Sequence, residues 1–330
     1  MIQIENGNLQ NIADEYYDRL YHWLQIGTGK DKFKSKIKSG RSRYSQMMNF
    51  VYQRICNKDL IFCKPDELLD HANSFNNQFA NDIAAYAKSK RPSQTTYGKF
   101  KSTMESFYKK FFSAECKQGG ASGSSSKGFL NGHWFTHTLD ITTCPYCNRS
   151  YTFTIGEKDI KVRPQLDHFY PKSEYPYLAL SFYNLVPVCP ICNLLKGEKL
   201  ISFNPYKRSF GEKHKFIIQS STQDLSWITD KSQIVIDIKS DPQEENKNIE
   251  VLGLKKLYNG HVDYVKEILD KASAYNASYY DAMINSFQGL GKTEEEIDRI
   301  VWGNYIETAN HNQRPLSKLT RDILDQLKIK

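Results

Sequence analysis

The chain has 330 residues, a length that suits two modest domains or one core domain with large helical additions. It contains 21 Tyr and 18 Phe, and its formal net charge of +8 fits an anionic partner without identifying one. The sequence has no apolar run long enough to span a bilayer, and residues 1–8 lack the features of a secretory signal. We therefore expect neither a membrane protein nor a secreted one.

Apolar residues at helical spacing predict a helical N-terminal region over residues 1–118, with helices at 12–23, 44–55, 65–87 and 96–112. A Gly/Ser-rich stretch follows and predicts a flexible linker or loop over residues 119–139.

Residues 140–203 are predicted to form the core. Alternating apolar residues predict strands at 151–155 and 160–167, followed by a loop, a short strand at 184–186 and a helix that carries Lys196. Residues 204–330 are predicted to contain a hairpin and then helices, with strands at 216–220 and 234–238 and helices at 251–284, 293–302 and 317–327. The predicted fold class is α+β, a small core embedded in mainly helical N- and C-terminal regions.

Two Cys-x-x-Cys pairs are the most informative feature of the chain. They consist of Cys144 with Cys147 and of Cys189 with Cys192. Four thiolates fill the tetrahedral shell of one zinc ion and leave no position for water, so we predict a structural rather than a catalytic Zn²⁺ site. The total of 7 Cys is odd, and three of them show no motif spacing, which favours metal binding in a reducing cytoplasm over a disulfide framework.

Polar residues between and beside these pairs suit phosphodiester hydrolysis. His168 is a candidate general base, because a histidine pKa lies near neutrality. Asp167 and Asn193 offer hard oxygen donors for a divalent ion such as Mg²⁺. Lys196 is a candidate phosphate contact, and Lys172 and Arg149 are further candidate substrate-binding cations.

Residues 144–197 resemble the HNH, or ββα-metal, endonuclease family with an added four-cysteine zinc site. The resemblance rests on an ordered set of motifs: a zinc knuckle, Leu-Asp-His, Pro-x-Ser, Asn-Leu and Cys-x-x-Cys-Asn-x-x-Lys-Gly. It implies that His168 is the general base, that Asp167 is the acidic metal ligand, and that Asn184 braces the loop and orients the histidine. Asn193 stands where many members have a metal-binding histidine, which leaves the choice between Mg²⁺ and Mn²⁺ open.

A narrower resemblance includes Cys-Pro-Tyr-Cys-Asn-Arg, Gln-Leu-Asp-His-Phe-Tyr-Pro-Lys-Ser and the late Arg-Pro-Leu-Ser-Lys at residues 314–318. These motifs are similar to those of bacterial HNH proteins from anti-phage systems of the Septu and retron-associated kind. The resemblance implies a defence effector that cuts nucleic acid, DNA being favoured, together with an SMC-like or AAA ATPase partner.

Two alternatives stay open from the sequence. The first is a zinc-stabilised nucleic-acid-binding module or ATPase adaptor that does not cut, and the second is a nuclease directed at RNA. A related question concerns the tyrosines of the loop, which would either stack on bases or fill the small core of the loop. We expect the second role for all four of them, namely Tyr170, Tyr175, Tyr177 and Tyr183.

Overall fold

The structure is a computed structural model that describes residues 1–25, 33–37, 41–114, 130–156, 160–221, 230–241, 247–275 and 277–329. Within these ranges the chain combines many helices with small two-stranded antiparallel sheets, which confirms the α+β class. None of the helices in these ranges has both the length and the apolar character needed to cross a bilayer.

The N-terminal region is helical where it is described. Its helices are α1 (Leu9–Gln25), α2 (Phe33–Lys36), α3 (Arg43–Cys56), α4 (Asp59–Phe62), α5 (Leu68–Gln78), α6 (Ala80–Lys88), α7 (Thr96–Ser113) and α8 (Asn131–Leu139). Side-chain oxygens of Ser42 and Thr95 cap α3 and α7 by accepting the backbone N–H three residues later. The helix predicted at 65–87 is divided at Phe79, where φ is −117° and ψ is 22°, and the ring of Phe79 is fully buried.

Helix α8 corrects the prediction of a linker over residues 119–139. Trp134, Phe135 and Leu139 are buried, and the ring of Phe135 packs against Tyr16 and Phe182. Burial of these side chains holds residues 131–139 in a helix despite the Gly/Ser-rich sequence before it. The first part of the predicted linker, residues 119–129, lies outside the described residues.

The central segment contains short strands and one helix, namely β1 (Ile155–Gly156), β2 (Lys161–Val162), β3 (Gln165–His168), β4 (Leu185–Val188) and α9 (Pro190–Lys196). Strand β1 pairs with β2, and β3 pairs with β4 in a register that places His168 opposite Leu185. The predicted strand at 160–167 is therefore two separate strands, because Pro164 has no backbone N–H with which to continue the ladder. A loop over residues 169–184 follows and includes two short 3-10 turns. Asn184, predicted to begin the short strand, is the last residue of the second turn, and β4 begins at Leu185.

The C-terminal region begins with a hairpin and continues as helices. Its elements are β5 (His214–Ser220), β6 (Ile234–Ser240), α10 (Lys247–Val251), α11 (Leu254–Tyr258), α12 (Val262–Ala274), α13 (Ala277–Gly289), α14 (Glu294–Trp302) and α15 (Ser317–Gln326). The helix predicted at 251–284 is thus divided into several helices. One break falls at Gly253, whose positive φ of 58° is left-handed, and another falls at Tyr275.

One hydrophobic core joins the N-terminal helices to the central segment. Tyr16 of α1 illustrates the connection, because its ring packs against Phe111, Phe135 and Phe182. Its hydroxyl donates a hydrogen bond of 2.9 Å to the carbonyl oxygen of Leu180 in the loop after β3. The loop that follows Asp167 and His168 is therefore packed directly on the N-terminal helices.

Candidate active site and metal centre

The two Cys-x-x-Cys pairs meet in one buried cluster. Cys144 and Cys147 lie in the turn before β1, whereas Cys189 is the N-cap residue of α9 and Cys192 lies in its first turn. All four are buried, and their sulfur atoms lie within 4.8 Å of one another. The sequence-predicted set of four sulfur ligands is thus brought together by the end of β4 and the start of α9.

The geometry and surroundings of the cluster fit a metal ion such as zinc. Tetrahedral coordination with Zn–S bonds of about 2.3 Å separates the sulfur atoms by about 3.8 Å. The Sγ atoms of Cys147 and Cys189 are 3.9 Å apart. Backbone N–H groups of Cys189 and Arg149 donate to the sulfur atoms of Cys144 and Cys147 at 3.3 and 3.4 Å, which favours thiolates. Burial raises the pKa of the Cys144 thiol, and this is the cost that a bound cation would offset.

The first knuckle, residues 144–148, is held by segments from both ends of the chain. Ile2 donates its backbone N–H to the carbonyl of Pro145 at 2.9 Å. On the C-terminal side, the Asn148 side chain donates to the carbonyl of His311 at 2.9 Å and accepts from the backbone N–H of Lys318 at 3.2 Å. The motif at residues 314–318 therefore docks on the knuckle, and this contact accounts for its position in the fold.

Asp167 is buried and already has two partners. Tyr146, which lies between the cysteines of the first pair, donates its hydroxyl to Asp167 Oδ2 at 2.7 Å. Lys196 Nζ lies 3.2 Å from Oδ1 and 3.1 Å from Oδ2, and it also donates to the carbonyl of His168 at 2.7 Å. Burial raises the pKa of Asp167 and lowers that of Lys196, because both charged forms lose their water.

Lys196 thus differs from the phosphate contact that we expected. Its side chain is 0% exposed, and its ammonium points to the Asp167 carboxylate rather than to solvent. The physical reason is that a buried carboxylate requires a cation or several donors, and α9 packs on β3 with Lys196 within reach. A divalent ion on Asp167 would compete with this lysine for the same oxygens.

His168 is 4% exposed and is held as a neutral imidazole by one hydrogen bond. Its Nε2 lies 3.2 Å from the carbonyl oxygen of Ala179. A carbonyl oxygen only accepts, so Nε2 carries the proton and the lone pair is on Nδ1. Burial, with a smaller contribution from Lys172, lowers the pKa of His168 to about 3. The ring of Tyr108 from α7 packs edge-on against the imidazole, with centroids 4.6 Å apart.

The side-chain amide of Asn184 holds the loop that follows His168 through three hydrogen bonds. Its Oδ1 accepts from the backbone N–H of Tyr170 at 2.7 Å, and its Nδ2 donates to the carbonyls of Tyr170 and Leu178 at 3.2 and 3.0 Å. The fully buried amide therefore ties the beginning and the middle of the loop to the residue that precedes β4. This arrangement fixes the position of Ala179, whose carbonyl orients His168.

The three remaining candidate site residues lie in different parts of the structure. Asn193 is half-buried one turn before Lys196, and its Nδ2 donates to Gln165 Oε1 at 2.6 Å. Lys172 is half-buried, and its Nζ lies 5.3 Å from the centroid of the Tyr108 ring, so it is close to His168. Arg149 instead bonds His261 Nε2 at 2.9 Å and packs toward the C-terminal helices, which does not bring it to the Asp167–His168 dipeptide.

Three residues near this dipeptide were not selected from the sequence. Tyr146 had a usable signal, because a tyrosine inside a Cys-x-x-Cys pair is fixed by the knuckle and must point to one side of it. Arg163 interacts electrostatically with Tyr108, and Tyr108 is contributed by α7. Neither Arg163 nor Tyr108 belongs to a motif, so tertiary packing was needed to find them.

Asp167 and Asn193 each supply an oxygen donor of the kind that Mg²⁺ prefers, but both carboxylate oxygens of Asp167 already have Tyr146 or Lys196 as partners. Among the described residues, the only group of three or more His, Cys, Asp or Glu side chains placed to hold a metal is the cysteine cluster. No protein family, no curated protein and no solved structure compared with this chain matches it.

Proposed function

We propose that the protein is a metal-dependent HNH endonuclease that hydrolyses phosphodiester bonds of nucleic acid, with DNA as the favoured substrate. The observation that carries the proposal is the state of His168. Its Nε2–H is directed at the Ala179 carbonyl and the ring is neutral, so Nδ1 keeps a lone pair. A neutral imidazole with a lone pair on a fixed nitrogen can accept a proton, and its lowered pKa makes it a weaker base than a free histidine.

The proposed chemistry assigns one task to each group. Nδ1 of His168 removes a proton from the attacking water, while the Ala179 carbonyl keeps the ring in the reactive tautomer. Asp167 and Asn193 would hold Mg²⁺ or Mn²⁺, which supplies charge stabilisation at the scissile phosphate. Lys172, half-buried beside Tyr108, is the cation best placed to contact a phosphate oxygen.

The four-cysteine cluster has a structural role in this proposal. Zn²⁺ at Cys144, Cys147, Cys189 and Cys192 would fix the first knuckle against the start of α9. Tyr146 then holds Asp167 from the knuckle side, and α9 presents Asn193 and Lys196 from the other. The metal would therefore position the catalytic dipeptide without touching substrate.

The motif resemblance extends the proposal to a biological setting. It favours an effector of a bacterial anti-phage system that works in the cytoplasm with an SMC-like or AAA ATPase partner. In that setting a partner would control when the nuclease acts.

The test compares wild type with His168→Ala on plasmid, linear duplex DNA, single-stranded DNA and total RNA, with Mg²⁺ or Mn²⁺. We expect cleavage by the wild type and a loss of at least about a hundredfold in the variant, since a general base contributes a factor of this order. His137→Ala is the matched control, because His137 is an exposed histidine of α8 outside the site. Equal cleavage by wild type and His168→Ala would refute the proposal.

A binding module that does not cut is the second candidate, and one observation favours it. The Asp167 carboxylate already has a buried cation, Lys196, as a partner in the described arrangement. If that ion pair is permanent, divalent ions cannot reach the carboxylate. Titration of zinc-loaded protein with Mn²⁺, followed by electron paramagnetic resonance, separates the candidates: a site lost in Asp167→Asn supports the nuclease, and no Mn²⁺ site supports the binding module.

A further inference from the structure

The segment that leads into the small β1–β2 hairpin has its apolar side turned outward. Tyr151, Phe153 and Ile155 are 48%, 53% and 43% exposed. The alternate residues face inward: Thr152 donates its hydroxyl to the carbonyl of Ile141 at 2.7 Å, and Thr154 donates to the Thr136 hydroxyl at 2.8 Å. Because the hydroxyls of Thr152 and Thr154 form hydrogen bonds inside the protein, the alternating side chains of Tyr151 and Phe153 point outward.

The two exposed rings form a preformed stack. The centroids of Tyr151 and Phe153 are 4.6 Å apart and the ring planes differ by only 17°. Ile160 and Val162 on the returning side are also more than half exposed, so both sides of the hairpin present apolar side chains. We call Tyr151, Phe153, Ile155, Ile160 and Val162 the hairpin platform. An exposed apolar surface of this kind marks an interaction site.

The aromatic loop after His168 does not compete for this role. The ring of Tyr177 is buried, and Tyr175 packs edge-on against Tyr170 and Tyr177. Tyr183 packs edge-on against Phe182. These rings pack within the loop or, in the case of Tyr177, on Phe75 of α5, whereas the rings of Tyr151 and Phe153 stack at the surface.

The charges around the hairpin favour an anionic occupant. Among the described residues, Lys161 lies between Ile160 and Val162 and is exposed, and Arg163 follows Val162 and is half-buried, so the returning side of the hairpin carries two cations. Stacked aromatic rings flanked by cations suit a chain with flat bases and a phosphate backbone. A duplex hides the faces of its bases, whereas a single strand exposes them.

The platform is also continuous with the catalytic strand. Val162 is separated from β3 only by Arg163 and Pro164. Arg163 interacts electrostatically with Tyr108, and the Tyr108 ring packs on His168. A strand of nucleic acid lying on the platform would therefore run toward the Asp167–His168 dipeptide.

We propose that the hairpin platform binds unpaired bases, so that the substrate of the site is single-stranded nucleic acid or a duplex region with bases splayed out. This inference rests on the proposed function for the identity of the ligand. It adds the substrate class, which the catalytic residues alone leave open.

The test measures binding without cleavage. Fluorescence anisotropy is recorded for zinc-loaded His168→Ala protein without added Mg²⁺ or Mn²⁺, with oligonucleotides of about 16 nucleotides, the upper end of the length that one single-strand-binding domain covers. The oligonucleotides are single-stranded DNA, single-stranded RNA and duplex DNA. We expect Tyr151→Ala/Phe153→Ala to weaken single-strand binding by about tenfold for each ring, with duplex affinity unchanged. The DNA and RNA arms identify which single strand is preferred.

Two controls keep the result interpretable. The ring-preserving variant Tyr151→Phe/Phe153→Tyr should retain affinity, which separates loss of stacking from a folding defect. Tyr279→Ala removes a similarly exposed tyrosine, stacked on Tyr275 in the C-terminal region, and should also have no effect. A 2-aminopurine base in the strand should be quenched by the wild-type platform and recover in the alanine variant.

Unchanged single-strand affinity in the alanine variant would overturn the inference. An equal loss for duplex and single strand would also overturn it, and so would a wild-type dimer that dissociates in the variant, because a second copy would then cover the platform. These outcomes are independent of the nuclease proposal, since they are measured without a catalytic divalent ion and without His168. Intact binding together with absent wild-type cleavage would count against the nuclease proposal alone.

Discussion

Substitution of Lys196 by methionine tests the buried ion pair on which the geometry of the site depends. The lysine is 0% exposed, its partner Asp167 is 4% exposed, and their charged atoms are 3.1 Å apart. Removing one partner of a buried pair costs about 3–5 kcal/mol, because the remaining charge has neither water nor a counter-ion. Methionine retains most of the volume of the lysine stem, so the loss of charge dominates over the loss of packing.

We therefore expect the free energy of unfolding of Lys196→Met to fall by about 3–5 kcal/mol at pH 7. The assay is urea unfolding of zinc-loaded protein followed by circular dichroism. A second change, Asp167→Asn, should recover most of this loss in the double variant, because it removes the unpaired charge. The cycle of single and double variants separates the pairing energy from other effects of each substitution.

The destabilisation should shrink as the pH falls. Burial already raises the pKa of Asp167, and Lys196 is one of the groups that oppose this rise. Without the lysine the native carboxyl has a still higher pKa than the unfolded one, so the native state binds more protons. The contribution of Asp167 to the stability of Lys196→Met is then greatest at low pH and is lost as the pH rises through the raised pKa of Asp167.

Lys207→Met is the matched control. Lys207 pairs with Asp66 at 2.6 Å, which is shorter than the buried contact, but the two side chains are 53% and 65% exposed. Exposed pairs contribute about 0–1 kcal/mol, so this variant should be nearly neutral. Equal losses for Lys196→Met and Lys207→Met would refute the reasoning, because burial would then not govern the energy of the pair.

Two further predictions concern the metal cluster and pH. Cys192→Ser should lower the zinc content of the purified protein below one ion per chain and lower its melting temperature. The control Cys63→Ser changes a buried cysteine outside the cluster and should keep the zinc. A full zinc content in Cys192→Ser would contradict the assignment of the cluster. Burial lowers the pKa of His311 to about 4, below its value in the unfolded chain. The stability that neutral His311 contributes is therefore fully present above about pH 6.5 and is lost as the pH falls toward 4. The expected loss in the free energy of unfolding is about 2 kcal/mol at pH 5. In His311→Gln, the free energy of unfolding measured in urea should depend less on pH between 7 and 5. An unchanged pH dependence would contradict this role of His311.

The spacing of apolar residues predicted the helices in which one face is buried along the whole length. Helices α1, α3 and α7 match the predicted ranges to within a few residues, because their apolar stripes coincide with the buried faces. The breaks at Phe79 and Gly253 were not predicted, since one depends on where a ring packs and the other on a left-handed backbone conformation. Helix α8 was missed because a Gly/Ser-rich stretch next to it suggested a loop, whereas tertiary burial of Trp134 and Phe135 decides its structure.

Motif spacing predicted the cysteine cluster, because the ligands of a metal must converge whatever the surrounding fold. It also selected Asp167, His168 and Asn184, but it could not determine their hydrogen-bond partners. Lys196 is the clearest example. Its position in the sequence is compatible with a contact to phosphate and with an ion pair to Asp167, and only its burial in the structure distinguishes the two. Tyr108 comes from a helix far upstream and shows no pattern that would link it to His168.

The clasp around the first knuckle has a consequence for the order of folding. Asn148 is separated from His311 by 163 residues and from Lys318 by 170 residues, so its partners are synthesised long after it. Contacts with such long sequence separation form late, because a large loop must close before they are made. During synthesis, all four cysteines would be present before the C-terminal residues that hydrogen-bond to Asn148 have been made. Early capture of zinc by the nascent chain would therefore protect the knuckle until its C-terminal clasp arrives.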